Sequence, residues 1–177
     1  RLEDFIFASQ SVQAEAMKYF VEMWRGKKFE NRTGMIWWNV RDGWPIISDA
    51  IVDYYFSKKR AYYFIRNAQR DVCVLMNDAE NGSFPLMAVN DTRAEAGGKV
   101  TVTNMADGKK VFEGSFQIPA NGKVKVTDIP DNGGQGIYLI SYQVAGKQFQ
   151  KHYLYGKPPF KLHVYRSLIK KTKLYSD

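Results

Sequence analysis

GMIWWNVRDGWP, residues 34–45, sets the reading of the first 70 residues. Up to Val40 it is apolar on both alternating faces, as a strand covered on both sides would be in a parallel sheet or barrel. Arg41-Asp42-Gly43-Trp44-Pro45 then reads as a turn, because Gly43 and Pro45 both interrupt regular structure. Upstream, residues 9–25 carry helical spacing. Ser9 stands at the N-cap position, Val12, Ala16, Tyr19, Phe20, Met23 and Trp24 share a broad apolar face, and Gly26 is the stop. Downstream, a second helix is expected from about Ser57 through KKRAYYFIRNAQ. Helix, strand, loop, helix is the cadence of an α/β barrel, of which this would be the closing stretch.

From Asp71 the period changes. VCVLMN, FPLMAVN, KVTVTNM, KVFEGSFQI, KVKVTDI, IYLISYQV and QFQKHYLY alternate as strands, separated by AENGS, ADGK, ANGK, DNGGQG and VAGK turns. Seven short strands at this spacing predict an immunoglobulin-like antiparallel β-sandwich. After Pro158 and Pro159, Leu162, Tyr165, Leu168 and Ile169 share a helical face, so a short helix should close the chain. The expected class is therefore α+β: residues 1–70 as the end of a barrel, and residues 71–177 as a sandwich with a C-terminal helix.

Composition narrows the function classes. With 45% hydrophobic and 25% charged residues among 177, the chain has the balance of an ordinary globular protein. Aromatic residues stand out at 15% and suit a β-rich core or a stacking surface. No stretch approaches the roughly 20 apolar residues of a membrane-spanning helix. The opening, RLEDFIFASQ, has no signal-peptide pattern and reads as mid-protein sequence, so the native start is expected upstream. The single Cys73 lies in an apolar run and reads as a small buried hydrophobe. From Lys157 onward, six basic residues face one acid, Asp177, giving the tail a net +5 of the chain's +8. The remainder is nearly balanced and no recognition spacing occurs, so a solvated basic helix is expected and nucleic acid is not. Neither His152 nor His163 sits in a metal-ligand spacing, and no phosphate loop or nucleophile elbow is present, so no metal or cofactor is expected.

What carries chemistry is Gly34–Lys59. Trp38, Asn39, Asp42 and Trp44 would lie at and beyond a strand end, where a barrel holds its substrate. Trp faces stack on the apolar face of a pyranose, while Asn, Asp and Arg direct hydrogen bonds to hydroxyls. Composition alone favours a plainer account, with the Trp residues in a core, Asp42 shaping the turn and Arg41 solvated.

WNVRDGWP, Trp38 to Pro45, resembles the last barrel strand of glycoside hydrolase family 2, whose signature there is Trp-Gln/Asn-x-x-Asp-x-Trp-Pro. DAIVDYYFSKKRAYYFIRNAQRDV, with Asp53, Tyr54 and Lys59, and SQSVQAEAMKYFVEMWR resemble the flanking helices. HYLYGKPPF resembles the end of the family's C-terminal sandwich. The resemblance implies the C-terminal part of a retaining β-glycoside hydrolase, most similar to the β-mannosidase-like members. Trp38 would be the sugar's aromatic floor, Asp42 and Trp44 would shape that pocket or the adjoining one, and Asn39 is a further substrate-binding candidate.

Retaining hydrolases of this kind use two Glu residues about 5–5.5 Å apart. The family carries them on earlier barrel strands; Glu3, Glu15 and Glu22 match neither, and RLEDF matches an intervening loop. No catalytic residue is assigned, and the chain by itself is expected to be inactive. Arg41 departs from the family's frequent Asn, and Asp49 from a frequent Trp, which puts the sugar specificity in question. The implied partners are a carbohydrate substrate and the upstream remainder of the catalytic domain. Without that remainder, Met35, Ile36, Trp37 and Trp38 would form an exposed patch prone to self-association. Periplasmic or secreted location is a family expectation only. A stand-alone glycan- or protein-binding sandwich is the alternative.

Overall fold

The computed structural model describes residues 1–175; Asp177, counted in the tail charge above, lies outside them. Seven strands follow two helices and precede a third: α1 (Leu2–Gly26), α2 (Arg60–Ala68), β1 (Val72–Met76), β2 (Ser83–Asn90), β3 (Ala96–Asn104), β4 (Lys110–Ile118), β5 (Lys123–Pro130), β6 (Gly136–Val144), β7 (Lys147–Tyr155) and α3 (Leu162–Lys171). The architecture is α+β, with every strand pair antiparallel.

The strands form two sheets, ordered β1-β2-β5 and β4-β3-β6-β7. Alternation decides what each face buries. Val74, Met76, Leu86, Ala88 and Ile129 meet Val100, Val102, Phe116, Ile118, Ile140 and Tyr142 in one core between the sheets. Phe84 packs there against Tyr138, Tyr153 and Tyr155, and the Tyr138 and Tyr155 rings stack at 4.5 Å. On the opposite face of β1 and β2, Cys73, Leu75, Met87 and Val89 are buried as well. That is why these strands read as continuous apolar runs. Gly98 permits the close approach of β3 to β6, since a Cβ there would come within 1.8 Å of the Gln143 carbonyl oxygen.

A second core gathers Ala14 of α1, Ala61, Phe64 and Ile65 of α2, Ile137 of β6, and Tyr165, Leu168 and Ile169 of α3. Trp37 and Ile51 from the intervening segment pack into it.

The first 60 residues depart from expectation in four ways. The helix begins at Leu2 rather than Ser9; RLEDF is its opening turn, where Glu3 and Asp4 suit the positive end of the helix dipole. Ser9 is interior and returns its hydroxyl to the Ile6 carbonyl oxygen at 3.2 Å. The face of α1 is also reversed. Val12, Tyr19 and Phe20 are exposed, whereas Ser11, Lys18, Glu22 and Arg25 are buried with Ala14, Val21 and Met23. The strands beneath offer polar and charged partners, so the polar stripe turns inward.

Residues 34–40 form no strand, because no neighbouring strand among the described residues supplies a ladder. Just beyond it, the chain pairs only through the isolated bridges Arg41–Val52 and Val52–Lys58. Finally, α2 starts at Arg60; Ser57 instead belongs to a turn closed by its N–H to Asp53 Oδ1 at 2.8 Å. Among the described residues, no helix is long and apolar enough to cross a membrane.

Candidate functional site

The segment between α1 and α2 folds back on itself around one buried carboxylate. Asp42 is 3% exposed, and both its oxygens are engaged: Oδ1 accepts from the Ser48 hydroxyl, and Oδ2 from Lys59 Nζ at 3.1 Å. Lys59 also donates to the Ser48 carbonyl oxygen at 3.2 Å. The backbone reinforces this centre. Ile51 N donates to Asn39 O (3.3 Å), Val52 N to Val40 O (2.9 Å), Asp42 N to Val52 O (3.1 Å) and Lys59 N to Ile51 O (2.9 Å). The Ser48 hydroxyl holds the Asp42 carboxyl below the usual carboxylate range; burial opposes this and Lys59 adds to it.

Around this staple, Trp37 goes in and Trp38 goes out. Trp37 packs on the helical core, whereas Trp38 is 76% and Trp44 64% exposed. Asn39 is half-buried, and its Oδ1 has no hydrogen-bond partner. Ile36, Val40, Ile46 and Ile47 are exposed on the same segment. Arg41 lays its guanidinium over the Phe56 ring at 4.2 Å, and Asp49 lies on the surface. Of the four site residues read from sequence, Trp38 and Trp44 are therefore displayed. Asn39 offers one buried acceptor, and Asp42 is the structural centre on which the segment is hung. The display comprises two aromatic faces, which can stack on the apolar face of a hydroxylated ligand, with the unfilled Asn39 acceptor buried beneath the surface.

A second polar constellation lies between α1 and β7. His152, fully buried, faces Glu15 Oε1 at 2.7 Å through Nε2 and the Tyr175 hydroxyl at 3.0 Å through Nδ1. Tyr165 also donates to Glu15 Oε1 at 2.7 Å. Burial alone would raise the Glu15 carboxyl, but His152 and Lys18 outweigh it and hold it at about 2. Burial pushes His152 down, the opposite pull of Glu15 notwithstanding.

Lys18 donates to the His152 carbonyl oxygen at 3.1 Å and lies 3.4 Å from Glu15 and 3.8 Å from Glu22. Lys151 Nζ stands 2.6 Å from Glu22 Oε1, in a geometry that is not a hydrogen bond, and donates to Cys73 Sγ at 3.2 Å. Sequence reading missed this network, having taken Glu15 and Glu22 as helix residues without a role. The signal available was their spacing with Lys18 and Arg25, one helical face at intervals of three and four.

The walls of a cleft of about 640 Å³ include Glu15, Lys18 and Glu22 on one side and Tyr153 and Phe160 on the other. Among the described residues, no group of three or more His, Cys, Asp or Glu side chains could hold a metal ion. His163 is exposed.

No protein-family model matches the chain. β-Mannosidase B of Aspergillus niger is 40% identical over 75 residues, which is 41% of this chain and 9% of that protein. β-Mannosidase B of Emericella nidulans is 26% identical over 147 residues, 72% of this chain and 17% of the relative. In three dimensions, the crystal structure of a β-D-mannosidase from Dictyoglomus thermophilum superposes with a TM-score of 0.74 at 29% identity, covering 88% of this chain and 20% of that one. The exo-chitosanase of Amycolatopsis orientalis gives a TM-score of 0.71 over 90% of this chain and 20% of that one; at 20% identity this likeness speaks to the fold alone. The chain thus spans a fifth or less of the proteins it matches. Sequence and fold agree: the chain is glycoside hydrolase family 2-like and matches the C-terminal part of a longer relative.

Proposed function

We propose that this chain is the C-terminal portion of a retaining β-glycoside hydrolase acting on β-linked carbohydrates, β-mannosides foremost. Residues 1–70 are the closing part of its (β/α)₈ barrel, and residues 71–177 are an immunoglobulin-like sandwich with a terminal helix. In this reading the catalytic Glu pair comes from upstream barrel strands, and this chain supplies part of the sugar site. Trp38 and Trp44 are its aromatic faces, Asn39 is a hydrogen-bonding group, and Asp42 positions all three.

The observation that carries the proposal is the aromatic display at residues 36–47. A segment stapled at Asp42 with two tryptophans and four aliphatic side chains facing outward has the form of a surface made to be covered. Upstream barrel strands are its proposed cover, with 34–40 taking strand form once they are present. The similarity to β-mannosidases supports the choice of substrate class.

The test is hydrolysis of a panel of aryl β-glycosides (mannoside, galactoside, glucuronide, glucoside) by this chain alone. No turnover is expected. Turnover above both a buffer blank and the Trp38→Ala variant would place a complete active site here and overturn the division of labour.

A further inference from the structure

Away from the aromatic display, a cleft of about 480 Å³ lies where the end of α2 and the segment after α3 meet strand β7. Among the described residues its lining includes Arg66, Arg70, Lys173, Gln148, Phe149 and Gln150, and no acidic residue. None of the three cations forms an ion pair among the described residues. Arg66 is held over the Tyr63 ring at 5.5 Å and Arg70 over Phe149 at 4.8 Å, with Arg70 also reaching Asn67 Oδ1 at 3.4 Å. The guanidiniums are thus oriented by aromatic faces and keep hydrogen-bonding capacity for a ligand. Two helix C-termini approach this region and oppose an anion, each by about half an elementary charge. Against three full cations that leaves about +2.

The strand contributes as well. β7 is the outer strand of its sheet, joined to β6 by the two-residue turn Ala145-Gly146, both at positive φ. Such a turn makes Val144–Lys147 a hydrogen-bonded pair, so the N–H groups of Gln148 and Gln150 point away from β6. The carbonyl of His152, next in that series, does so too, because Lys18 binds it. The open edge is only about two residues long before α1 covers it, too short to seat an added peptide strand but sufficient for a small oxyanion.

We infer that this cleft binds the oxyanion of an acidic sugar, a uronate carboxylate or a sugar sulfate, through Arg66, Arg70, Lys173 and the outward amides of β7. The oxyanion follows from charge and geometry; the sugar scaffold rests on the carbohydrate reading proposed above.

The experiment is affinity electrophoresis of the whole chain in gels containing polygalacturonate, dextran sulfate or neutral mannan, at about 100 mM salt, where distant charges are screened. Thermal-shift titrations with citrate and inorganic sulfate run beside it. Retardation by a polyanion but not by mannan is expected, and the stronger arm identifies carboxylate or sulfate. The double substitution Arg66→Gln/Arg70→Gln should lose at least about tenfold in affinity. Lys109→Gln/Lys110→Gln, with the same change in net charge on the remote β3–β4 turn, should not.

Equal losses in the two double variants, or equal retardation by short duplex DNA, would reduce the effect to bulk charge and overturn the site. Stabilisation by citrate or sulfate without retardation by either polysaccharide would keep the oxyanion site and sink the sugar assignment. No response to any anion would sink the site itself, leaving the glycosidase reading to its own assay.

Discussion

Replacing Lys151 by methionine tests whether the buried network between α1 and β7 holds the helix to the sheet. The Lys151 side chain is 1% exposed and its partner Glu22 2% exposed, at 2.6 Å. Burial would strip Lys151 of its proton, but Cys73 and Glu22 outweigh burial and keep it charged. Removing one partner of a buried pair costs about 3–5 kcal/mol, because the other charge stays buried and uncompensated. Lys18 remains 3.8 Å from Glu22, so the lower end, about 3 kcal/mol, is expected. For a chain of this size that is a fall in Tm of about 6–12 °C.

Equilibrium urea unfolding, followed by tryptophan fluorescence, should show the midpoint falling by about 1–1.5 M for an m value of ~2–3 kcal/mol/M. Lys151→Met/Glu22→Leu, which removes both charges, should be more stable than the sum of its parts predicts, by about 1.5 kcal/mol or more. A single variant within about 0.5 kcal/mol of the parent, or strictly additive losses, would show that the pair does not couple the layers.

Lys59→Met should release the Asp42 staple, and the amides of Ile51, Val52 and residue 59 should exchange with deuterium at least about tenfold faster; unchanged protection would mean that the backbone bonds alone hold the segment. Because the folded His152 pKa is depressed, its contribution is present above the unfolded value near 6.5 and is lost as pH falls below it. Glu15, held at about 2, contributes on the order of 3 kcal/mol above pH ~4.5, lost as pH falls from there toward 2. Thermal melts across this range should therefore decline in two stages, and His152→Gln should remove the first; a variant with the same first stage would exclude His152. The exposed apolar side chains of residues 36–47 should make the chain self-associate in sedimentation velocity as concentration rises, and Ile47→Glu should suppress it. A single monomeric species throughout would show that the display needs no cover.

The seven strands were legible because β1 and β2 are short apolar runs, the later strands alternate, and most boundaries carry turn residues, such as Ala145-Gly146 and Asn81-Gly82, which stand at positive φ. The tail helix was legible for a similar reason: Tyr165, Leu168 and Ile169 are its buried face. Residues whose environment is made elsewhere in the chain were not legible. Lys18, Glu22 and Arg25 look like a solvated face until His152, Lys151 and Asp91 are brought beneath them. GMIWWNV has the composition of a strand, but strand form depends on a neighbour that composition cannot supply. At the candidate site, the outward tryptophans could be read from type and spacing. The role of Asp42 could not, because Ser48 and Lys59 reach it only after the segment folds back.

The inward polar stripe of α1 also fixes an order of events during synthesis. Its anchors Lys151 and His152 lie some 126 residues beyond Gly26, a wait of about 6–25 s at ordinary translation rates. Until β7 leaves the ribosome, α1 can pack on α2 through Ala14, but Lys18 and Glu22 lack the partners that β7 brings to them. Ribosome-bound chains stalled before residue 147 should therefore leave α1 open to protease, and chains stalled once β7 has emerged should protect it. A helix made early and locked late spends that interval as a client for chaperones, with its aromatic side chains as the handle.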